Sequence, residues 1–313
     1  MITVAGEALI DIVIDPSGSV TALPGGAPFN VARTIARLGG DCQFLGKLSD
    51  DGFGRQLRST LEEAGVRVAV ADATPAPTTL AIARLDEFGT AEYRFYLQGT
   101  SAAQLSAADV PPEILEGSTA IALGGLGLLI EPTATSQTAL IQQKPPGATI
   151  LLDPNCRPGV VTDLTAYREM VDTVLRQVDV VKVSTDDLQL LRPGATWLDA
   201  ARSLLELGPA AVIVTDGPAP VSIHTATGER SVRVPVVEVV DTIGAGDAFV
   251  AGFLTWWTAH ALLQHDAANV DALERAATAA VAVAAANCTM QGANLPAGFE
   301  WSTQPAAAPK LAH

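Results

Sequence analysis

A chain of 313 residues allows one large domain or two small ones, and 48% hydrophobic residues can fill a sizeable core. Lys and Arg number 19 against 34 Asp and Glu, a net charge of −15 that argues against a nucleic-acid or anionic-membrane surface while leaving a small nucleotide such as ATP open. Cys42, Cys156 and Cys288 are scattered and odd in number, and no basic segment precedes an apolar one at the N-terminus, so the expectation is a reducing, cytoplasmic setting without disulfides.

Ile2 to Ala5 reads as a buried strand that Gly6 interrupts and that Glu7 to Asp15 continues. Asp11 sits there among apolar residues, either as a surface acid of an alternating strand or as an acceptor for sugar hydroxyls. Gly25-Gly26-Ala27-Pro28-Phe29-Asn30 opens a helix with Val31, Thr34, Ile35 and Leu38 on one face, and Gly39-Gly40 ends it. The diglycine admits a ligand close to the backbone. The Asn30 amide, which donates and accepts at once, suits a polyol or simply caps the helix. Strands follow at Cys42 to Leu48 and Val66 to Val70, with an amphipathic helix from Arg55 to Ala64 between them. Thr78 to Arg84 and Ala91 to Tyr96, joined by Asp86-Glu87-Phe88-Gly89, form a hairpin that breaks the βα rhythm. It is a flap over a site or an ordinary edge hairpin.

The rhythm resumes with a strand at Ala120 to Gly124, a helix at Thr133 to Gln143 and a strand at Ala148 to Leu152. Asp153-Pro154-Asn155-Cys156-Arg157-Pro158 follows the last of these, and open α/β sheets keep ligands just past such strand ends. Arg157 could meet a phosphate there or pair with Asp153. A strand at Val178 to Val183 runs into Ser184 and Asp187, spaced as a helix N-terminal capping arrangement. A helix from Trp197 to Leu207, a strand from Ala210 to Val214 and a hairpin from Val221 to Val234 come next. Val240 to Phe249 then places Asp241 and Asp247 on either side of Gly244-Ala245-Gly246, ahead of an unbroken apolar run. Glycines bring backbone N–H groups close to an anion, and a helix that starts there adds its positive dipole end. Asp247, at the mouth, is placed to take a proton. An Ala-rich helix from Ala267 to Ala286 follows, its apolar run from Ala276 to Ala286 too short to span a membrane, and 304–313 reads as a disordered tail. Walker A, protein-kinase and nucleophile-elbow motifs are absent, and the four histidines fit no metal pattern. The expected fold is one doubly wound α/β domain over 1–303, mostly parallel, with helices on both faces.

The two glycine motifs, at Gly25 to Gly39 and Asp241 to Asp247, resemble the signatures of the PfkB or ribokinase-like carbohydrate kinases in type, order and separation, and the likeness spans about residues 1 to 302. Gly6 to Asp11, Tyr93 to Ala102 and Asp153 to Pro158 are similar to bacterial fructokinases within that family. The resemblance implies an ATP-dependent sugar kinase, with fructose as first substrate and 2-keto-3-deoxygluconate or another ketose as alternatives. A silent sugar-binding regulator on the same fold is the reading from a different class. In the family's terms Asp247 is the general base, and the N–H groups of Gly244, Ala245 and Gly246 form the anion hole. Asp11, Gly25, Gly26, Asn30, Tyr96 and Arg157 hold the sugar, and Lys182, Ser184, Thr215, Gly217, Gly246 and Asn287 line the nucleotide site. Asp241 and Ile243 lie at a site for K⁺, and Asp187 replaces the family's Mg²⁺-organising glutamate. Segments at about 12–23 and 78–97 form a β lid that serves many members as a dimer interface. Two departures stand out. Ser184 and Asp187 replace the usual Asn and Glu, and Pro220 removes an N–H from the nucleotide loop that begins at Thr215.

Overall fold

The computed structural model describes residues 1–86 and 91–301. The proposed hairpin turn at 87–89 and the tail at 304–313 fall outside them. A nine-stranded sheet forms the centre of the molecule, and a separate four-stranded sheet stands beside it. In chain order the strands are β1 (Ile2–Ala5), β2 (Leu9–Ile14), β3 (Val20–Gly25), β4 (Cys42–Leu45), β5 (Arg67–Val68), β6 (Leu80–Leu85), β7 (Ala91–Tyr96), β8 (Ala120–Gly124), β9 (Thr149–Asp153), β10 (Val180–Ser184), β11 (Ala211–Thr215), β12 (Val221–Thr225) and β13 (Gly228–Val232). The helices are α1 (Ala27–Arg37), α2 (Gly52–Glu63), α3 (Thr133–Gln142), α4 (Leu164–Leu175), α5 (Thr185–Leu191), α6 (Trp197–Leu205), α7 (Ala245–Ala259) and α8 (Val270–Cys288).

The large sheet runs β13-β12-β11-β10-β9-β8-β1-β4-β5. Every pairing from β11 to β5 is parallel, and only β12 and β13 at one edge are antiparallel. Its central strands are buried on both faces, which is why they read as continuous apolar runs such as Ala-Ile-Ala-Leu at 120–123. One apolar layer collects residues of α1, α2, α7 and α8, and the other those of α3, α4, α5 and α6. Strand order turns back between β1 and β8, so a crevice opens there beyond the strand ends, where doubly wound sheets bind ligands.

Two sequence expectations change. Glu7 to Asp15 does not continue β1. Gly6, at φ 150°, breaks the chain out of the large sheet, and β2 pairs with β3 and β6 in the small one. The small sheet, ordered β3-β2-β6-β7, therefore starts at Leu9 and not at residue 12. Helix α4 was not anticipated. Its N-cap is Asp163, whose side chain accepts from the N–H groups of Thr165 and Ala166, and its mixed polar surface hides the buried stripe of Tyr167, Val171, Val174 and Leu175.

Candidate active site

The C-terminal ends of β9, β10 and β11 bring three of the noted residues to one edge of the large sheet. Asp153 ends β9, Ser184 ends β10 and Thr215 ends β11, with Ser184 and Thr215 in register. A pocket at the β1/β8 crevice is lined by Ala5, Ala27, Pro28, Gly124, Gly125, Asp153, Asn155 and Asp247, among others.

Asp247 lies in the first turn of α7 and is buried. Gly244 is the N-cap in a left-handed conformation, φ 77°, where a side chain would strain the backbone, and a Cβ would stand 2.5 Å from that of Ala293. The turn it makes aims the open N-terminus of a 15-residue helix at the pocket side. The Ala245 N–H is drawn back onto the Thr242 carbonyl at 3.2 Å. The Gly246 N–H, in the first turn, has no helical carbonyl behind it to bond.

The Asn30 amide reaches from α1 to Asp247, Nδ2 donating to Oδ2 at 2.9 Å. The helix cap is instead Gly26, so Asn30 does not serve as one. Burial pushes the Asp247 carboxyl up to about 7; Asp153 adds to the rise, while the Asn30 donor, Lys182 and Arg157 oppose it. Near Asp247, Lys182 Nζ pairs with Asp153 Oδ2 at 2.9 Å, and both are largely buried. Burial works against the lysine charge, but Asp153, Asp187 and Asp247 outweigh it and hold the ammonium above the usual lysine range. A Cβ on Gly246 would stand 3.0 Å from that Nζ, so the lysine lies directly beneath the glycine turn.

Asp11, on β2, stands opposite Leu23 of the antiparallel β3, but its carboxylate reaches over Gly25, where any Cβ would overlap it. Burial raises Asp11 to about 6 against the pull of Arg157. Arg157 is exposed and reaches a protein acceptor only weakly, the Cys156 carbonyl at 3.4 Å, yet it acts on Glu7, Asp11, Asp153 and Asp247 at once. It does not pair with Asp153, which Lys182 takes. Tyr96 lies 46% exposed on the outer strand β7, two strands over from the β2 that carries Asp11, with Arg94 over its ring.

Ser184 and Asp187 do form a capping box on α5. Asp187 Oδ2 accepts from the Ser184 N–H and Oγ–H, and its Oδ1 accepts from the Cys156 N–H at 2.8 Å. Its Oδ2 is filled by two donors and its Oδ1 keeps one lone pair, and no cluster of three or more His, Cys, Asp or Glu able to hold a metal occurs among the described residues. Asp241 and Ile243 do come together: Asp241 Oδ1 accepts the Ile243 N–H, Oδ2 accepts the Gly292 N–H, and the buried Asn287 amide donates to the Ile243 carbonyl at 2.8 Å. Thr215 and Gly217, the latter at φ 50°, lie at the β11 end, and an exposed apolar stretch, Val236, Val239, Val240 and Ile243, precedes α7.

Two site residues escaped the sequence reading. From sequence alone Asp153 is no more than a partner for Arg157, and Glu7 is an ordinary strand residue. Glu7 is 3% exposed and accepts from the Gly127 N–H at 3.1 Å. A charged residue directly after a strand-ending glycine was the available signal.

The pfkB family of carbohydrate kinases matches residues 1–298. The chain is 33% identical to the fructokinase of Klebsiella pneumoniae over 281 residues, 88% of this chain and 91% of that one. It is 32% identical to the aminoimidazole riboside kinase of Salmonella typhimurium over 280 residues, 86% of each chain. The crystal structure of a fructokinase from Xylella fastidiosa with bound ATP superposes with a TM-score of 0.87 at 28% identity, covering 93% of both chains. No described helix is long and apolar enough to cross a membrane. The chain belongs to the pfkB family of carbohydrate kinases and is an ATP-dependent sugar kinase with the ribokinase-like fold.

Proposed function

We propose that the chain is a fructokinase, which transfers the γ-phosphoryl group of MgATP to the primary hydroxyl of D-fructose and releases fructose 6-phosphate and ADP. The observation that carries this reading is Asp247: a buried carboxyl near neutral pKa, held by Asn30, at the N-terminus of a helix beside a pocket. Such an acid is half-ionised near pH 7, the condition under which a base both accepts a proton and is present in the right form.

In this reading the sugar occupies the crevice, with Asp11, Asn30 and the backbone at Gly25 and Gly26 around it and Arg157 and Tyr96 toward the rim. Asp247 takes the hydroxyl proton as the oxygen attacks in line. The α7 N-terminus, with the N–H groups of Gly244, Ala245 and Gly246, meets the charge spread over the transferring group. Since Ala245 already bonds Thr242, Gly246 is the better placed donor. Lys182, Ser184, Thr215, Gly217 and Asn287 line the nucleotide, whose adenine would rest on the apolar stretch at 236–243. Mg²⁺ would enter with ATP and supply charge for the phosphates; Asp187 would act on it through water, with the lone pair that its Oδ1 keeps. Asp241 and the Ile243 carbonyl, each oxygen keeping a lone pair, suit K⁺, which would hold the turn before α7.

Four carboxyls, Glu7, Asp11, Asp153 and Asp247, face the rim cation Arg157 and the already paired Lys182. That balance favours a neutral sugar over a sugar acid such as 2-keto-3-deoxygluconate. The likeness to an aminoimidazole riboside kinase supports a neutral riboside as the second reading. The small sheet, with exposed Val20, Leu23, Tyr93 and Tyr96, serves as the lid and as the face of a homodimer. The buried thiols Cys42 and Cys156 fit the reducing cytoplasm. Steady-state ADP release on D-fructose, aminoimidazole riboside and 2-keto-3-deoxygluconate tests the assignment. Fructose should give the highest kcat/KM, and a clear preference for either other compound overturns it.

A further inference from the structure

Asn30 is 8% exposed, so its amide must find partners inside the protein or in a ligand. Its Nδ2 spends one hydrogen on Asp247 Oδ2 across 217 residues of sequence. Its Oδ1 is buried and has no protein partner. Only the N–H side of an amide can face an ionised carboxylate, so the contact with Asp247 fixes which end of the amide is left over.

We infer that Asn30 is a positioning residue that couples sugar recognition to the base: Nδ2 holds Oδ2 of Asp247, leaving Oδ1 of that carboxylate for the attacking hydroxyl, while Asn30 Oδ1 accepts a hydrogen bond from another hydroxyl of the sugar. This rests on Asp247 being the base. A buried carboxylate with a single fixed donor has one free oxygen and one orientation. Without that donor it can turn about its last torsion, and the reacting geometry is lost. The amide is rigid, so a sugar hydroxyl on Asn30 Oδ1 locks the same plane that orients Asp247. A ligand lacking that hydroxyl would leave a buried acceptor unpaired, at a cost polar sites exploit for selection.

The other charged groups around Asp247 come from different elements: Asp153 from β9, Lys182 from β10 and Arg157 from the loop after β9. None of them donates to the Asp247 carboxylate: Lys182 Nζ bonds Asp153 Oδ2, and Arg157 reaches only the Cys156 carbonyl. Asn30 is therefore the one described neighbour that both touches the carboxylate and has capacity left for the substrate.

The test compares Asn30→Leu, which keeps the branched skeleton without the polar atoms, with wild type on the best sugar of the panel. kcat and KM are measured separately, kcat/KM is followed with pH, and the KM for ATP and the urea midpoint report on the fold. Removing a donor that favours the ionised form should move the acid limb of kcat/KM upward by about one to two units. kcat should fall roughly tenfold to a hundredfold, with the KM for ATP unchanged. Asn30→Ser repeats the measurement if the leucine variant does not fold. A raised sugar KM with wild-type kcat and an unmoved acid limb would mean that Asn30 only binds sugar, and the coupling is then wrong. Asp247→Asn run alongside separates the two ideas. If it is inactive while the Asn30 limb stays put, the coupling alone fails; if it turns over near-normally, the base and the coupling fail together.

Discussion

The Asp153–Lys182 pair lies at 2.9 Å, with Lys182 6% and Asp153 12% exposed, directly under the glycine turn. Lys182→Met strands the Asp153 carboxyl in a buried place whose other charged neighbours are two acids, Asp187 and Asp247, and Arg157. Breaking a buried pair from one side costs roughly 3–5 kcal/mol. The converse change, Asp153→Asn, leaves Lys182 facing Asp187 and Asp247, so its cost should be smaller, about 1–3 kcal/mol. In the double variant no stranded charge remains at 153, and the combined loss should fall short of the sum by about 1–3 kcal/mol. The sign with pH follows from Asp153, whose carboxyl burial already pushes up and which rises further without the lysine. Once it is protonated in both proteins the penalty disappears, so the cost of Lys182→Met should be large at pH 8 and shrink toward pH 5. Urea unfolding of the four proteins at both pH values measures this. Additive losses, or a Lys182→Met penalty independent of pH, would refute the placement of this pair in a shared buried field.

Three further outcomes follow from the same geometry. Asp247 is raised from its ordinary 3.8 to about 7, so the native state holds a proton that the unfolded chain gives up, and its contribution to stability falls as pH rises through that window; Asp247→Asn should gain on wild type by up to about 4 kcal/mol between pH 4 and 7, and a flat difference in urea midpoints would contradict the burial. Gly25→Ala should displace the Asp11 carboxylate and raise the sugar KM by roughly tenfold or more with the KM for ATP unchanged, as read by steady-state kinetics. Gly244→Ala meets both a left-handed φ of 77° and the Ala293 Cβ, so it should cost about 1–3 kcal/mol in urea unfolding, and adding Ala293→Gly should recover only part of that.

Sequence legibility differed by element for physical reasons. The parallel strands were readable because burial on both faces leaves runs such as Ala-Val-Ile-Val at 211–214 with no other stable use. The capping box at Ser184 and Asp187 was readable because its chemistry is local. Helix α4 was missed because its buried residues are spaced among Arg, Glu and Asp, and only the opposing layer makes their face apolar. The sheet switch at Gly6 was missed because one glycine dihedral carries it. In the site, the glycine turns at 25–26 and 244–246 announced themselves by composition. The contacts that join them, Asn30 to Asp247 and Lys182 to Asp153, span 217 and 29 residues and depend on the register of distant elements. No local pattern encodes them.

The central claim is that Asp247 is the base of this sugar kinase, and turnover of Asp247→Asn tests it most directly. General-base catalysis contributes roughly 10² to 10⁴ in rate. The variant should therefore lose at least about that factor in kcat on fructose while sugar and ATP still bind, as followed by calorimetry. Near-normal turnover with both substrates bound would contradict the account.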